Sequence, residues 1–280
     1  MSKFTSKCLS LTLLLFVIGL AFLLVAGFSG GFEDLKNSAE AGKSSLNILG
    51  FNVEIFNFNG KKYTGTGKSC DITVDDSQHA RFLSIEGDAT NVKILRGDDA
   101  NICIEGSNVV GDVTATMEGS KCVIENSTGF DQFSIGGSSY SEIIVYIPRD
   151  MELEGIDVDL GADELEVSDI TVGTCDMDMG AGNVVMTDVV CDTLDVDCGA
   201  GNFTFTGSIK KSGDFDMAAG NLDMTLDNYD DCNFKIEAAL GHVKVGDDSY
   251  DSIGVDIEKT HKGATSTITV DASVGSVIIK

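Results

Sequence analysis

The sequence predicts an all-β protein: a parallel β-solenoid with about 19 residues per coil, preceded by one N-terminal transmembrane helix. Three observations predict it. A small-residue tripeptide recurs at 19-residue intervals, apolar residues alternate at period two on both sides of it, and 20 residues near the N-terminus carry no charge. One Pro, 32 Gly and no Trp in 280 residues also fit many short strands and tight turns better than a helical bundle.

The uncharged run is residues 9–28 (LSLTLLLFVIGLAFLLVAGF), long enough to cross a ~30 Å hydrocarbon core as a helix. Lys3 and Lys7 precede it, and Glu33 and Asp34 are the first charges after it. Positive charge stays on the cytoplasmic side, so residues 1–8 are expected inside and everything beyond the helix outside the cell membrane. A cleaved signal peptide has an apolar core of ~7 to 15 residues and a small-x-small site, which Ala26-Gly27-Phe28 does not match. An uncleaved signal-anchor is therefore expected. Residues 29–45 are small and polar and read as a juxtamembrane spacer.

Beyond the helix the chain carries 17 basic and 45 acidic residues, a balance of 17 − 45 = −28. Phosphate binding needs clustered Lys and Arg, so nucleic acid is excluded as a partner. With 42% hydrophobic residues the chain has enough apolar material for a core, and its acidity does not signal disorder.

Residues 151–280 hold the regular repeat. Gly161-Ala162-Asp163, Gly180-Ala181-Gly182, Gly199-Ala200-Gly201 and Ala218-Ala219-Gly220 start 19 residues apart, with Ala239-Leu240-Gly241 and Ser273-Val274-Gly275 after longer gaps. The second gap holds a polar insertion at residues 247–266. Before the turn, apolar columns form at Val158, Met177, Val196, Phe215, Ile236 and Val270, and at Leu160, Met179, Cys198, Met217, Ala238 and Ala272. After it they form at Leu165, Val184, Phe203, Leu222, Val243 and Val277, and at Val167, Met186, Phe205, Met224, Val245 and Ile279. Period two means strands with one buried face, and a unit of two short strands can bury that face only by stacking on its neighbours. Residues 46–150 are strand-rich without a strict period, and read as irregular coils of the same solenoid or as a separate cap. If the last coil ends bare, the segment 277–280 offers an edge for self-association.

The anchor, the segment Glu142-Ile143-Ile144-Val145-Tyr146-Ile147-Pro148-Arg149-Asp150 and the Gly-Ala-Gly coils after it carry a resemblance. Together they resemble the bacterial membrane-anchored β-strand-repeat family of unknown function whose members are called candidate adhesins. The resemblance implies a β-helical ectodomain on a single membrane helix at the cell envelope, in some relatives linked to envelope stress. It brings no catalytic residues.

Two acidic columns stand on the outward face of the first strand: Asp157, Asp176, Asp195, Asp214, and Asp159, Asp178, Asp197, Asp216, Glu237, Asp271. Parallel stacking puts equivalent carboxylates ~4.8 Å apart, where each neighbouring pair repels by about 1 kcal/mol in water. Ca²⁺ or Mg²⁺ would relieve that repulsion, with Asp159, Asp178, Asp197 and Asp216 as the ligands. The other readings are a solvated face and a recognition surface for a cationic partner. No cofactor is called for.

Cys70, Cys103, Cys122, Cys175, Cys191, Cys198 and Cys232 are an odd set outside the membrane, expected as buried free thiols, with a Cys103 to Cys122 disulfide as the alternative. Zinc is not expected, since no CxxC pair exists and His79, His242 and His261 are scattered. Gly65-Thr66-Gly67-Lys68-Ser69 lacks the first Gly of a phosphate-binding loop. The chain is not expected to be an enzyme. A polysaccharide-active β-helix is the far alternative, for which Asp197, Lys259, His261 and Lys262 would be the groups to test. The functional expectation is a structural or interaction role at the envelope, with protein, envelope polymer or a second copy as partner.

Overall fold

The computed structural model describes residues 45–48, 51–54, 68–87, 90–109, 111–127 and 141–280. The expected membrane helix at 9–28 lies outside them, as do Gly65-Thr66-Gly67; among the described residues no helix is long and apolar enough to cross a membrane. The chain divides into two units. One comprises residues 1–63 with 134–138, and within it β1 (Ser45–Ile48) and β2 (Phe51–Glu54) form an antiparallel hairpin.

The second unit, residues 64–133 with 139–280, is all-β and solenoid-like. Its strands in chain order are β3 (Lys68–Thr73), β4 (Phe82–Gly87), β5 (Thr90–Gly97), β6 (Cys103–Val109), β7 (Asp112–Glu118), β8 (Lys121–Ser127) and β9 (Ser141–Pro148). There follow β10 (Leu153–Ser168), β11 (Thr171–Leu226), β12 (Cys232–Val245), β13 (Asp248–Lys259) and β14 (Ser266–Ile279). The 19-residue period sets the pairing: Leu153 lies beside Val172, Val158 beside Met177, and Ser168 beside Thr187, all in parallel register. The 56-residue β11 winds on itself in the same step, so Asn202 reaches Asn183 and Asn221 reaches Asn202 across 19 residues each.

Alternation fills the interior as the columns require. Every residue of the four apolar columns is buried except Ala272, which is half-buried. Phe203, Phe205, Phe215 and Phe234 are the largest fully buried side chains, and Phe203 packs edge-on to Phe215 with centroids 5.6 Å apart. Each such side chain taken out of water contributes roughly 1.5–3 kcal/mol, so the columns carry the stacking.

The stretch before Met151 supplies both coils and caps. β4 and β5 together form the coil beneath β10, with Gly155 beside Phe82 and Leu165 beside Val92. β8 and β9 form the next coil, β8 against β4 and β9 against β5, again parallel. Antiparallel strands close that end: β7 on β8, and β6 then β3 beyond β9. Pro148, whose ring leaves it no N–H to donate, ends β9 beside Gly97, and Arg96 Nη1 donates to the carbonyls of Pro148 (3.0 Å) and Met151 (2.9 Å) where the chain crosses to β10.

The coils do not stack in chain order, and here one expectation is corrected. β14 is not the bare final edge at 277–280. It lies between the last coil of β11 (Phe215 beside Val270) and β12 (Ile236 beside Val270), parallel to both. The stretch expected as a polar insertion contains β13, which runs back antiparallel along β12 and forms the outermost strand of that end.

The small-residue corners have a steric cause. Gly182, Gly201, Gly220 and Gly275 stack with positive φ, and a Cβ on Gly201 would overlap the carbonyl oxygen of Gly182 on the coil below. Gly201→Ala is therefore expected to cost more than about 3 kcal/mol in chemical denaturation, whereas Ala200→Ser, one residue away and exposed, changes stability by less than about 0.5 kcal/mol.

Candidate functional site

In-register stacking that buries apolar columns on one face must align the residues between them on the other. The acidic columns accordingly become ladders. Asp157 lies beside Asp176 and Asp159 beside Asp178; Asp195 and Asp197, then Asp214 and Asp216, follow at the same 19-residue step. All are exposed.

The second ladder is longer than the sequence indicates. Its order is Glu125, Glu86, Asp159, Asp178, Asp197, Asp216, Asp271, Glu237 and Asp256, nine carboxylates in adjacent register positions. Asp271 precedes Glu237 because β14 lies inside β12. Glu86, Glu125 and Asp256 were missed because they sit on β4, β8 and β13, outside the strict repeat. The first ladder is shorter: at one side it continues in register to Ser84 and Val123, with the Lys121 ammonium reaching Asp157 at 3.2 Å from another position, and at the other to Thr269 then Lys235.

The electrostatics follow from this crowding. Partial burial raises the carboxyl pKa of Asp176 above the ordinary aspartate value, and Asp195, Asp157, Asp197 and Asp178 raise it further. Burial first, then like charges, also raise Asp195 (Asp214, Asp197), Asp214 (Asp271) and Asp216 (Asp271, Asp197). The four residues named as cation ligands thus stand in one outward line. Among the described residues no three His, Cys, Asp or Glu side chains converge to hold a metal ion, so a cation there could be shared only between ladder neighbours and water.

A third ladder, of asparagine amides, was not foreseen. Asn202 Nδ2 donates to Asn183 Oδ1 and Asn221 Nδ2 to Asn202 Oδ1, both at 2.8 Å, while the backbone N–H of Ser276 donates to Asn221 Oδ1. Its sequence signal is the Gly-Asn step at residues 182–183, 201–202 and 220–221. These amides replace water at the corner and hold adjacent coils in register.

The groups proposed for chemistry are engaged elsewhere. His261 Nδ1 lies 2.7 Å from the Cys232 carbonyl, and the ring packs against Tyr229 and Phe234. Lys259 Nζ donates to Asp248 (2.9 Å) and to the Val245 carbonyl (3.1 Å), and Asp248 raises its pKa. Where β5, β6, β9 and β10 meet lies a groove of about 670 Å³ lined by Lys93, Glu105, Glu142, Ile144 and Glu166. Lys93 donates to Glu166 at 2.6 Å, which raises its pKa and keeps it an ammonium ion rather than a nucleophile or base.

The cysteines in the described residues are free thiols. Cys122, Cys175, Cys191, Cys198 and Cys232 are buried, and Cys70 and Cys103 half-buried. Burial pushes Cys122 up to about 11, and the Cys191 thiol beside Cys175 raises Cys175 well above the ordinary value, so neither is a thiolate at neutral pH. Cys103 contacts Thr73 and the Asn101 carbonyl.

Comparison with known proteins returns one family: that described as Toastrack DUF4097 matches residues 81–262. No curated protein matches. Among solved structures, a candidate cell adhesion protein from Clostridium sporogenes is similar over 76% of this chain and 98% of its own, at 12% identity and a TM-score of 0.48. A candidate adhesin from Bacteroides fragilis covers 76% of this chain and 96% of its own, also at 12% identity, with a TM-score of 0.44. A candidate lipid-binding protein from Parabacteroides distasonis covers 77% and 95%, at 12% identity and a TM-score of 0.36.

The raised ladder pKa values set a sign for pH dependence. A carboxyl with a higher pKa folded than unfolded destabilises the fold when ionised, and that cost is relieved as pH falls through the folded value. Asp195→Asn is therefore expected to raise the melting temperature at pH 7, with the gain over the parent shrinking toward pH 4. A gain that is constant with pH would show that the ladder charge is not its source.

Proposed function

The chain belongs to the Toastrack DUF4097 family, and on that premise we propose that it is a non-enzymatic interaction module of the bacterial cell envelope. It is held by a helix at 9–28 with its N-terminus in the cytoplasm, and presents its β-rich unit outside. The observation that carries this reading is the nine-carboxylate ladder: an ordered anionic rail along one sheet face, aligned by the same stacking that builds the core. A rail of this kind suits a partner with repeated positive charge, which gains attraction along its length without needing a cleft.

A second reading is favoured by the raised proton affinity of Asp176, Asp195, Asp214 and Asp216. A potential that holds protons also attracts Ca²⁺ or Mg²⁺, with Asp159, Asp178, Asp197 and Asp216 sharing ions pairwise along the ladder.

One set of measurements on the full-length protein in zwitterionic nanodiscs separates the two. Heptalysine is expected to bind with an affinity that falls steeply with salt and drops at least fivefold in Asp178→Asn with Asp197→Asn. Equal binding by this variant would remove the ladder as the docking face. If divalent ions are the ligand, millimolar Ca²⁺ raises the melting temperature beyond NaCl of equal ionic strength; identical responses leave the aspartates as a solvated face with respect to calcium.

A further inference from the structure

The interior columns and the long carboxylate ladder run out on the same strand, β13. It is the outermost strand of its end and pairs with β12 alone among the described strands, so its other edge faces outward without a strand partner. Its inward positions continue the core: Ile257 lies beside Ile236, Val255 beside Ala238 and Tyr250 beside Val243. Tyr250 remains 39% exposed, as expected of a column with no next coil above it. Its outward positions continue the charge, with Asp256 beside Glu237 and Glu258 beside Lys235.

The corner row changes in the same direction. At the middle of the turn tripeptide the coils of β11 carry Ala181, Ala200 and Ala219, after which the row becomes Val274, Leu240 and Ile253. These last three are 51%, 51% and 81% exposed. Apolar bulk therefore grows toward the free edge, where an Ala would serve a solvated corner equally well. The opposite end differs: there the carboxylate ladder meets Thr114 on β7, and among the described residues no comparable ridge forms.

We propose that the free edge of β13 is a strand-addition site for an extended segment of another polypeptide that alternates apolar with Lys or Arg residues. Backbone pairing supplies the common attraction, and the alternation follows from the strand itself. Inward side chains of the added segment extend the columns over Tyr250, Val255 and Ile257. Those on the other face meet Asp256 and Glu258. A second copy fits less well: β13 carries four acidic residues and one Lys, a balance of 1 − 4 = −3, so pairing it with itself sets like charges together. The chain's other outer strands are not basic either, β3 holding Lys68 and Asp71 and β7 holding Asp112 and Glu118.

The test uses the full-length protein in phosphatidylcholine nanodiscs, with empty nanodiscs as the blank, and a fluorescein-labelled heptapeptide alternating valine and lysine. It is expected to bind at least tenfold more tightly than a block-ordered peptide of the same composition or a valine and glutamate counterpart, and to slow hydrogen exchange across residues 248–259. Ile253→Lys, at a side chain that supports no packing, weakens it at least fivefold. Asp256→Asn weakens it by a smaller factor and keeps the test valid should the lysine variant fail to fold. Glu118→Gln, exposed on the outer strand β7 at the opposite end and outside both ladders, leaves the affinity within twofold. The proposal is overturned if the block-ordered peptide binds as well, if Glu118→Gln matters as much as the edge variants, or if no peptide binds. It is equally overturned if the protein alone dimerises through a contact that Ile253→Lys abolishes and the peptide does not compete with.

Discussion

Parallel in-register stacking at a 19-residue step is the constraint on which the rest of this molecule depends. Once each residue sits about 4.8 Å from its counterpart on the next coil, every choice made in one coil is repeated on its neighbour. Apolar positions become continuous columns such as Val158, Met177, Val196 and Phe215. Corners become lines of touching backbone, in which a Cβ on Gly201 or Gly220 has no room. Asn183, Asn202 and Asn221 become a chain of amide hydrogen bonds. Aspartates become a rail of repelling charge by the same operation.

That last consequence is unfavourable, and its placement shows how it is tolerated. The ladders occupy the exposed positions between buried columns, so water screens each pair while the apolar neighbours on either side supply the stacking energy. The shorter ladder is closed by Lys121 near Asp157 and by Lys235 beyond Thr269. The longer one receives no such closure in register. A face assembled against its own repulsion gains most from any cation that settles on it, which is why the functional reading centres there rather than on the groove around Lys93.

Much of this was legible in the sequence because period two and period 19 are local signals. The four apolar columns, the burial of Cys175 and Cys198 and the two rows of aspartates all follow from counting. The order of the coils does not. A strand carrying the right alternation fits any slot in the stack, so nothing in Ile268, Val270 or Val277 says that β14 enters between β11 and β12. For the same reason Glu86, Glu125 and Asp256 could not be added to the ladder from the repeat alone. Their strands reach the stack through connections of other lengths, and only the pairing reveals that their carboxylates align. The Asn ladder is different: Gly-Asn recurs at 182–183, 201–202 and 220–221 with the same 19-residue step, so counting alone can find it.

The out-of-order stacking has a physical logic at both ends. A solenoid that simply stopped would leave a terminal strand, an open end of the core and a free chain end in one place. Here β14, the last described strand, is held between two others, and the chain has already turned back through β13 to cover β12. At the other end β8 and β9 lie beyond the earlier β4 and β5, and β7, β6 and β3 cover them antiparallel. Antiparallel caps reverse the chain and so break the 19-residue register, which should also end the ladders. On β7 it does, with Thr114 opposite Glu125. On β13 it does not: Asp256 stands opposite Glu237, and Val255 and Ile257 continue the interior. A cap that keeps both the charge and the apolar pattern of the coil beneath it leaves that coil's surface presented rather than terminated. The two ends of the stack are therefore chemically unequal, and the molecule has a direction that its repeat alone does not impose.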